Sequence, residues 1–238
     1  MPSQPDHFEP IQMGDFQLKD SQTVASQLYH TLRERIINMQ LAPGMTMSEQ
    51  ETANAFKVSR TPVREAFIRL SREKMVIISP QRRTAVAKIS TERVRQEHFL
   101  RESLEQAVLE RFVLMQRPEA IQHLRDVIKL QQHAILSSDF PLFLMQDEAF
   151  HKTFYVETSN ELCYQILWRN SFDYQRLRYL SSFSNESIRQ MNITQHEQLL
   201  AHIINRDLQD VHSLLRKHVR RIFEEIDTLK SEYPHYIE

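Results

Sequence analysis

Residues 48–70 read SEQETANAFKVSRTPVREAFIRL, and two helix starts lie inside that stretch. Ser48 and Glu51 form an S-x-x-E box, in which hydroxyl and carboxylate each satisfy a backbone N–H that the first helical turn leaves without a partner. That predicts a short helix reaching about Phe56. After Lys57-Val58-Ser59 a second start falls at Arg60-Thr61-Pro62, with proline in the first turn, where its missing N–H costs nothing. Ala66, Phe67 and Leu70 carry the apolar stripe of this helix toward Glu73. Two short helices joined by a tight turn make a helix-turn-helix.

Upstream, Val24, Leu28, Leu32, Ile36 and Ile37 mark a helix over Thr23–Met39 that stops before Leu41-Ala42-Pro43-Gly44. Downstream, Met75–Ile78 and Thr84–Ile89 are short β-branched runs around Ser79–Arg83, which predicts a two-stranded wing. From Thr91 onward strand signals vanish, and six helical stretches are expected at roughly 92–115, 118–137, 141–157, 160–183, 187–205 and 207–230. The fold class is therefore mainly α: an N-terminal winged helix-turn-helix over residues 21–90, then a C-terminal all-helical antiparallel bundle over 91–238. Met1–Asp20, with three prolines and four acidic residues against one lysine, reads as a mobile leader.

Composition supports this division. Only two glycines, Gly14 and Gly44, occur in 238 residues, which excludes Gly-rich phosphate loops. The single cysteine, Cys163, excludes an internal disulfide and a cysteine zinc knuckle, and no apolar run approaches the ~18 residues of a membrane span. A reducing, cytoplasmic location is the expectation. The net charge of −1 conceals an asymmetry: residues 21–90 hold eleven Lys/Arg against five Asp/Glu, and residues 91–238 hold eighteen against twenty-two. A basic small domain preceding an acidic larger one points to a polyanion as the partner of the first.

A recognition helix places its N-terminal side chains against base edges, while its backbone amides and positive dipole end meet phosphate. Ser59, Arg60, Thr61 and Arg64 occupy that end. Arg60 and Arg64 are the base-reading candidates, because a guanidinium forks onto guanine O6 and N7. Arg69 and Arg72 suit phosphate contact or plain solvation of the helix. Arg82 and Arg83 at the wing tip suit a minor-groove or backbone contact.

In the bundle, polar residues on apolar stripes are the informative ones. Asp147 lies amid Phe143, Leu144, Phe150 and Phe154, with His151 one turn later on the same face. That pair fits either a buried Asp–His hydrogen bond or two ligands of one ion. His196 and His218 each lie eleven residues from Asp207, so an antiparallel hairpin turning there brings them level. His202 and His212 are also symmetric about Asp207, but His202 points away from the apolar face. One carboxylate and three imidazoles satisfy a divalent transition ion, zinc or nickel, with coordination sites left open. Arg101 and Glu105 fall in the stripe of Val94, Leu104, Val108 and Phe112, with Glu97 one turn earlier. Either they pair with each other, or they belong to an effector site in which Arg101 receives an anion.

Leu41-Ala-Pro-Gly, Ser48-Glu-Gln-Glu-Thr-Ala and Val58-Ser-Arg-Thr-Pro-Val-Arg-Glu-Ala resemble the winged helix-turn-helix of the GntR superfamily of bacterial transcription regulators. The resemblance implies DNA contact by Ser59, Arg60, Arg64 and the position held by Gln50. Lys74-Met75 stands where a Gly-Leu pair is common. Residues 92–238 resemble the FCD effector domain of the FadR subfamily in its VanR-like, six-helix form. The matching pieces are Phe99-Leu-Arg-Glu-Ser-Leu-Glu, Asp147-Glu-Ala-Phe-His, Thr158-Ser-Asn, His196-Glu-Gln-Leu-Leu-Ala-His-Ile and Leu214-Leu-Arg-Lys-His. That resemblance implies metal ligands at Asp147, His151, His196 and His218, an effector contact at Arg101, and small carboxylates as effectors. The expected protein is a homodimeric repressor, not an enzyme, that binds double-stranded operator DNA under effector control. A direct metal sensor and a metal-dependent enzyme fused to a DNA reader are the rival classes.

Overall fold

A computed structural model describes residues 23–79 and 83–238, and the chain divides between Lys88 and Ile89 into two compact units. The leader Met1–Asp20 and the wing-tip residue Arg82 lie outside the described residues.

The first unit runs α1 (Val24–Ile37), β1 (Thr46–Met47), α2 (Glu49–Phe56), α3 (Arg60–Arg72), β2 (Val76–Ile78), β3 (Thr84–Val86). The capping box is complete: Ser48 Oγ accepts from the Glu51 amide at 3.1 Å, and Glu51 accepts from the Ser48 amide at 3.2 Å. Lys57, at φ 51°, turns the chain between α2 and α3. α3 ends in a Schellman motif, with the Met75 amide donating to Leu70 O and the Lys74 amide to Ser71 O, both at 2.9 Å. Lys74 sits in that motif at φ 60°, the left-handed conformation that glycine adopts at no steric cost. Leu28, Leu32 and Ile36 of α1 and Val63, Phe67 and Leu70 of α3 are buried and form the core.

The wing departs from expectation. It is a three-stranded antiparallel sheet of order β1-β3-β2, with Met47 opposite Thr84 and Ile77 opposite Ala85. β1 is two residues long, too short to register as an alternating pattern. It is set by Gly44 at φ 86°, whose amide donates to Val86 O, while the Val86 amide donates back to Met45 O. The run expected as Thr84–Ile89 is a strand only to Val86; Ile89 pairs with Ile237 instead.

The second unit is all helical: α4 (Thr91–Met115), α5 (Pro118–Leu136), α6 (Phe140–Glu157), α7 (Glu161–Arg169), α8 (Phe172–Ser184), α9 (Glu186–Asn205), α10 (Leu208–Arg220), α11 (Ile222–Glu232). The six expected stretches become eight helices because two of them break. At Asn170-Ser171 both side chains bond back to carbonyls four residues earlier, Asn170 to Ile166 O at 2.7 Å and Ser171 to Leu167 O, drawing the backbone out of the helix. At Arg221 the Glu224 amide donates to Arg221 O at 2.9 Å, an i to i+3 bond tighter than the α repeat. The turn at Asp207 is present, with Arg206 left-handed and Asp207 capping α10. Phe112, Phe150, Phe154, Leu199, Ile203 and Leu215 stand in the core of this unit. Ile89 is held by the tail, its amide donating to Tyr236 O at 2.8 Å, and the next amide, Ser90, donates to Asp173 Oδ2 at 3.2 Å. No described helix is long and apolar enough to cross a membrane.

Candidate functional site

Each unit carries one constellation. In the first, Ser59 caps α3 in extended backbone without a side-chain capping bond, and Arg60, Thr61 and Arg64 stand exposed along the first turns. Glu49, the first residue of α2, gathers both arginines. Its carboxylate accepts from Arg60 Nη2 at 3.0 Å, and from Arg64 Nε and Nη2, each at 2.9 Å. That fork occupies one edge of the Arg64 guanidinium and leaves its Nη1/Nη2 edge for another acceptor. Those two arginines hold the Glu49 carboxyl below its ordinary range, the Arg64 hydrogen bond contributing most.

Other candidates are placed differently. Gln50 donates along its own helix to Asn54 Oδ1 at 2.8 Å. Arg69 lies 3.5 Å from the Tyr29 ring centroid and pairs with Glu73. Arg72 is exposed, and Arg83 pairs with Glu51 on the surface.

In the second unit α6, α9 and α10 bring His151, His196 and His218 together, one ligand atom of each lying within 4.8 Å of the others. All three are buried. Their outward nitrogens meet acceptors: His196 Nδ1–H donates to Gln131 Oε1 at 2.9 Å, His218 Nδ1–H donates to Gln195 Oε1 at 2.7 Å, and His151 Nδ1 faces Glu105 Oε1 at 3.4 Å. Protons on Nδ1 leave the Nε2 of His196 and of His218 with a lone pair. His151 Nε2 and His218 Nε2 stand 3.3 Å apart, a separation at which the two nitrogens can share a proton or bind one cation. Two nitrogens each about 2.1 Å from one zinc ion are separated by about 3.0–3.4 Å. His196 Nε2 is buried with no hydrogen-bond partner. The donor set fits a borderline transition ion.

Asp147 is next to this group rather than in it. Its Oδ2 is engaged by Arg178, while Oδ1, without a hydrogen bond, lies 3.9 Å from His196 Nε2. Burial drives the His196 imidazolium pKa down to about 3, and His218 well below its ordinary value, so both rings are neutral ligands near pH 7.

Arg101 and Glu105 realise the pairing alternative, with Arg101 Nε 3.2 Å from Glu105 Oε1. Burial alone pushes the Glu105 carboxyl up, but Arg101 and then His151 outweigh it and hold it at about 2. Two small cavities, about 30 and 20 Å³, open on either side of Arg101, Tyr174 and Arg178. The first touches His151, Tyr164 and Trp168; the second touches His218, Asn192 and Arg221. Each holds about one water as it stands.

Four residues escape a stripe-by-stripe reading. Gln131 is visible in principle, since it continues the inward face Leu124, Val127, Ile128 of α5; Gln195 shares a face with Asn192 and Leu199. Arg178 and Glu49 give no such signal, because their partners are thirty-one and eleven to fifteen residues away.

Comparison with known proteins agrees with this layout. Residues 24–86 match the model described as bacterial regulatory proteins, gntR family, and residues 98–221 match the FCD domain. The HTH-type transcriptional repressor RspR of Escherichia coli K12 is 32% identical over 91% of this chain and 94% of its own. The gluconate operon transcriptional repressor of Bacillus subtilis is 28% identical over 59% of this chain and 57% of its own. Among solved structures, E. coli McbR/YncC shares the fold, with a TM-score of 0.72 at 19% identity over 89% of this chain and 99% of that one.

Proposed function

The chain belongs to the gntR family of bacterial regulatory proteins and carries an FCD domain; from that premise we propose a homodimeric repressor whose grip on its operator is set by a small carboxylate bound beside a metal ion. That it is a DNA-binding transcriptional regulator follows from the family, and RspR and the gluconate operon protein are both named as repressors. Dimerisation suits the reader because one helix-turn-helix reaches few base pairs, whereas two related by a dyad read a palindrome.

Base reading falls to Arg60 and Arg64, with Ser59, Thr61 and Gln50 beside them and Arg82 and Arg83 on the wing. Glu49 acts as a buttress: it fixes one edge of the Arg64 guanidinium and so aims the remaining fork, which the groove would otherwise have to order at an entropic cost. In the helical unit, His151, His196 and His218 would hold the ion with Asp147 completing the set. The ion supplies positive charge and open positions for an anionic ligand. Arg101 and Arg178 flank both cavities and supply the charge-assisted hydrogen bonds that a carboxylate needs. A ligand of more than one or two heavy atoms must widen those cavities, which moves α8 against α4. Such a differential fit is what linkage requires if the ligand is to alter DNA affinity.

The observation that carries the regulatory reading is the pair of facing Nε2 atoms with all three Nδ1 positions turned to oxygen. A panel of mono- and dicarboxylates titrated against a protein–operator complex, with and without zinc, tests it: zinc-dependent release by one member supports the reading, and release that ignores zinc refutes the metal's part. A direct metal sensor has one observation on its side, since Glu105 already pairs Arg101. Release by zinc alone would select it.

A further inference from the structure

Resting on the reading of the three histidines as metal ligands, we propose that Glu105 is a positioning residue shared between the metal centre and Arg101, so that engagement of Arg101 by an anion tightens the hold on the ion. One carboxylate oxygen carries both contacts: Glu105 Oε1 is 3.2 Å from Arg101 Nε and 3.4 Å from His151 Nδ1. The other oxygen, Oε2, is buried without a hydrogen-bond partner. Glu105 is 1% exposed, so bulk solvent screens its charge little.

The other two ligands lack this arrangement. His196 and His218 lean on the neutral amides Gln131 and Gln195. Of the three, His151 alone turns its Nδ1 to an anion, and that anion has a second claimant in Arg101. An imidazole whose N–H donates to a full carboxylate is a stronger donor at its other nitrogen than one whose acceptor is neutral or already shared. While Arg101 holds Oε1, the charge felt by His151 is divided. When Arg101 turns to an anion in either cavity it lines, Glu105 belongs to His151 alone, and Nε2 becomes the better ligand. By linkage, the ion then improves the anion's affinity by the same factor.

Substitution can mimic the turned arginine without any organic ligand. Cobalt(II) binding to the full-length protein, read from its visible d–d absorption, is compared among wild type, Arg101→Gln, Glu105→Gln and the double variant. Glu105→Gln is expected to weaken cobalt about tenfold, the low end for loss of such a supporting contact. Arg101→Gln is expected to tighten it about fivefold, and in the Glu105→Gln background that gain should vanish. The cycle separates the shared carboxylate from bare charge: an equal gain in both backgrounds means that only a nearby positive charge was removed, and the proposal fails. It fails too if Arg101→Gln leaves cobalt affinity unchanged or lowers it. Should Glu105→Gln not fold, the imidazole N–H proton resonances of the zinc form decide. The His151 signal must move downfield in Arg101→Gln while those of His196 and His218 stay, and three unmoved signals overturn the proposal. His196→Ala is the control for the site itself; if it binds cobalt as well as wild type, the metal reading fails and not merely the coupling.

Discussion

The two units place their charges oppositely. The reader keeps Arg60 and Arg64 more than half exposed and ties them to a surface glutamate, whereas the helical unit buries Arg101, Glu105, Asp147 and three histidines almost completely. Exposed ion pairs contribute little to stability, so the reader's charges are free to be spent on DNA. Buried ones are costly when a partner is removed, because the remaining charge is left uncompensated. Substitutions in the reader should therefore change recognition and leave folding alone, while those in the helical unit should change both ion binding and the packing around it.

The largest effect expected is at His196. Replacing it with alanine removes a buried nitrogen that has no other partner, and bound zinc per protomer, measured by mass spectrometry of the native protein, should fall to background. Undiminished zinc would break the contrast by taking the ion away from the buried group. Next is Arg60→Ala, which should weaken operator binding by about 10- to 100-fold, the range of one lost forked base contact, and weaken binding to unrelated DNA by far less. A uniform loss in fluorescence anisotropy across both DNAs would make Arg60 a phosphate contact.

Glu49→Gln sharpens the same point with a smaller effect. Losing the carboxylate frees Arg64 while removing a negative charge beside the DNA, so operator affinity should drop a few-fold while non-specific affinity holds or rises and the salt dependence steepens. Equal losses on both DNAs would reduce Glu49 to a structural ion pair. The smallest effect is expected at Lys74→Gly: relief of a left-handed lysine at an exposed helix end should raise the reader's stability by about 0.5–1 kcal/mol, seen as a higher denaturation midpoint with DNA affinity unchanged. A lower midpoint would mean that the Schellman turn is not strained at that residue.

What could be read in advance follows the range of the interactions. The capping box at Ser48 and Glu51, the proline start at Arg60 and the apolar stripe of α3 are local patterns, and the structure carries each of them. His196 and His218 were reachable because a single turn at Asp207 relates them. β1 was not, since two residues have no period and the strand exists only through Gly44 and Val86. Nor were the breaks at Asn170-Ser171 and Arg221, where hydrogen bonding rather than hydrophobic rhythm interrupts the helix. Asp147 shows the limit within the candidate site: its inward direction was legible, but its engagement by Arg178 was not, because α8 reaches it from another part of the chain.

Zinc K-edge X-ray absorption on the reconstituted full-length protein bears most directly on the metal centre. Three imidazole nitrogens at about 2.0–2.1 Å, reduced to two in His218→Ala, with one carboxylate oxygen from Asp147, are the predicted first shell. An oxygen-only shell, or one indifferent to that substitution, would contradict the account.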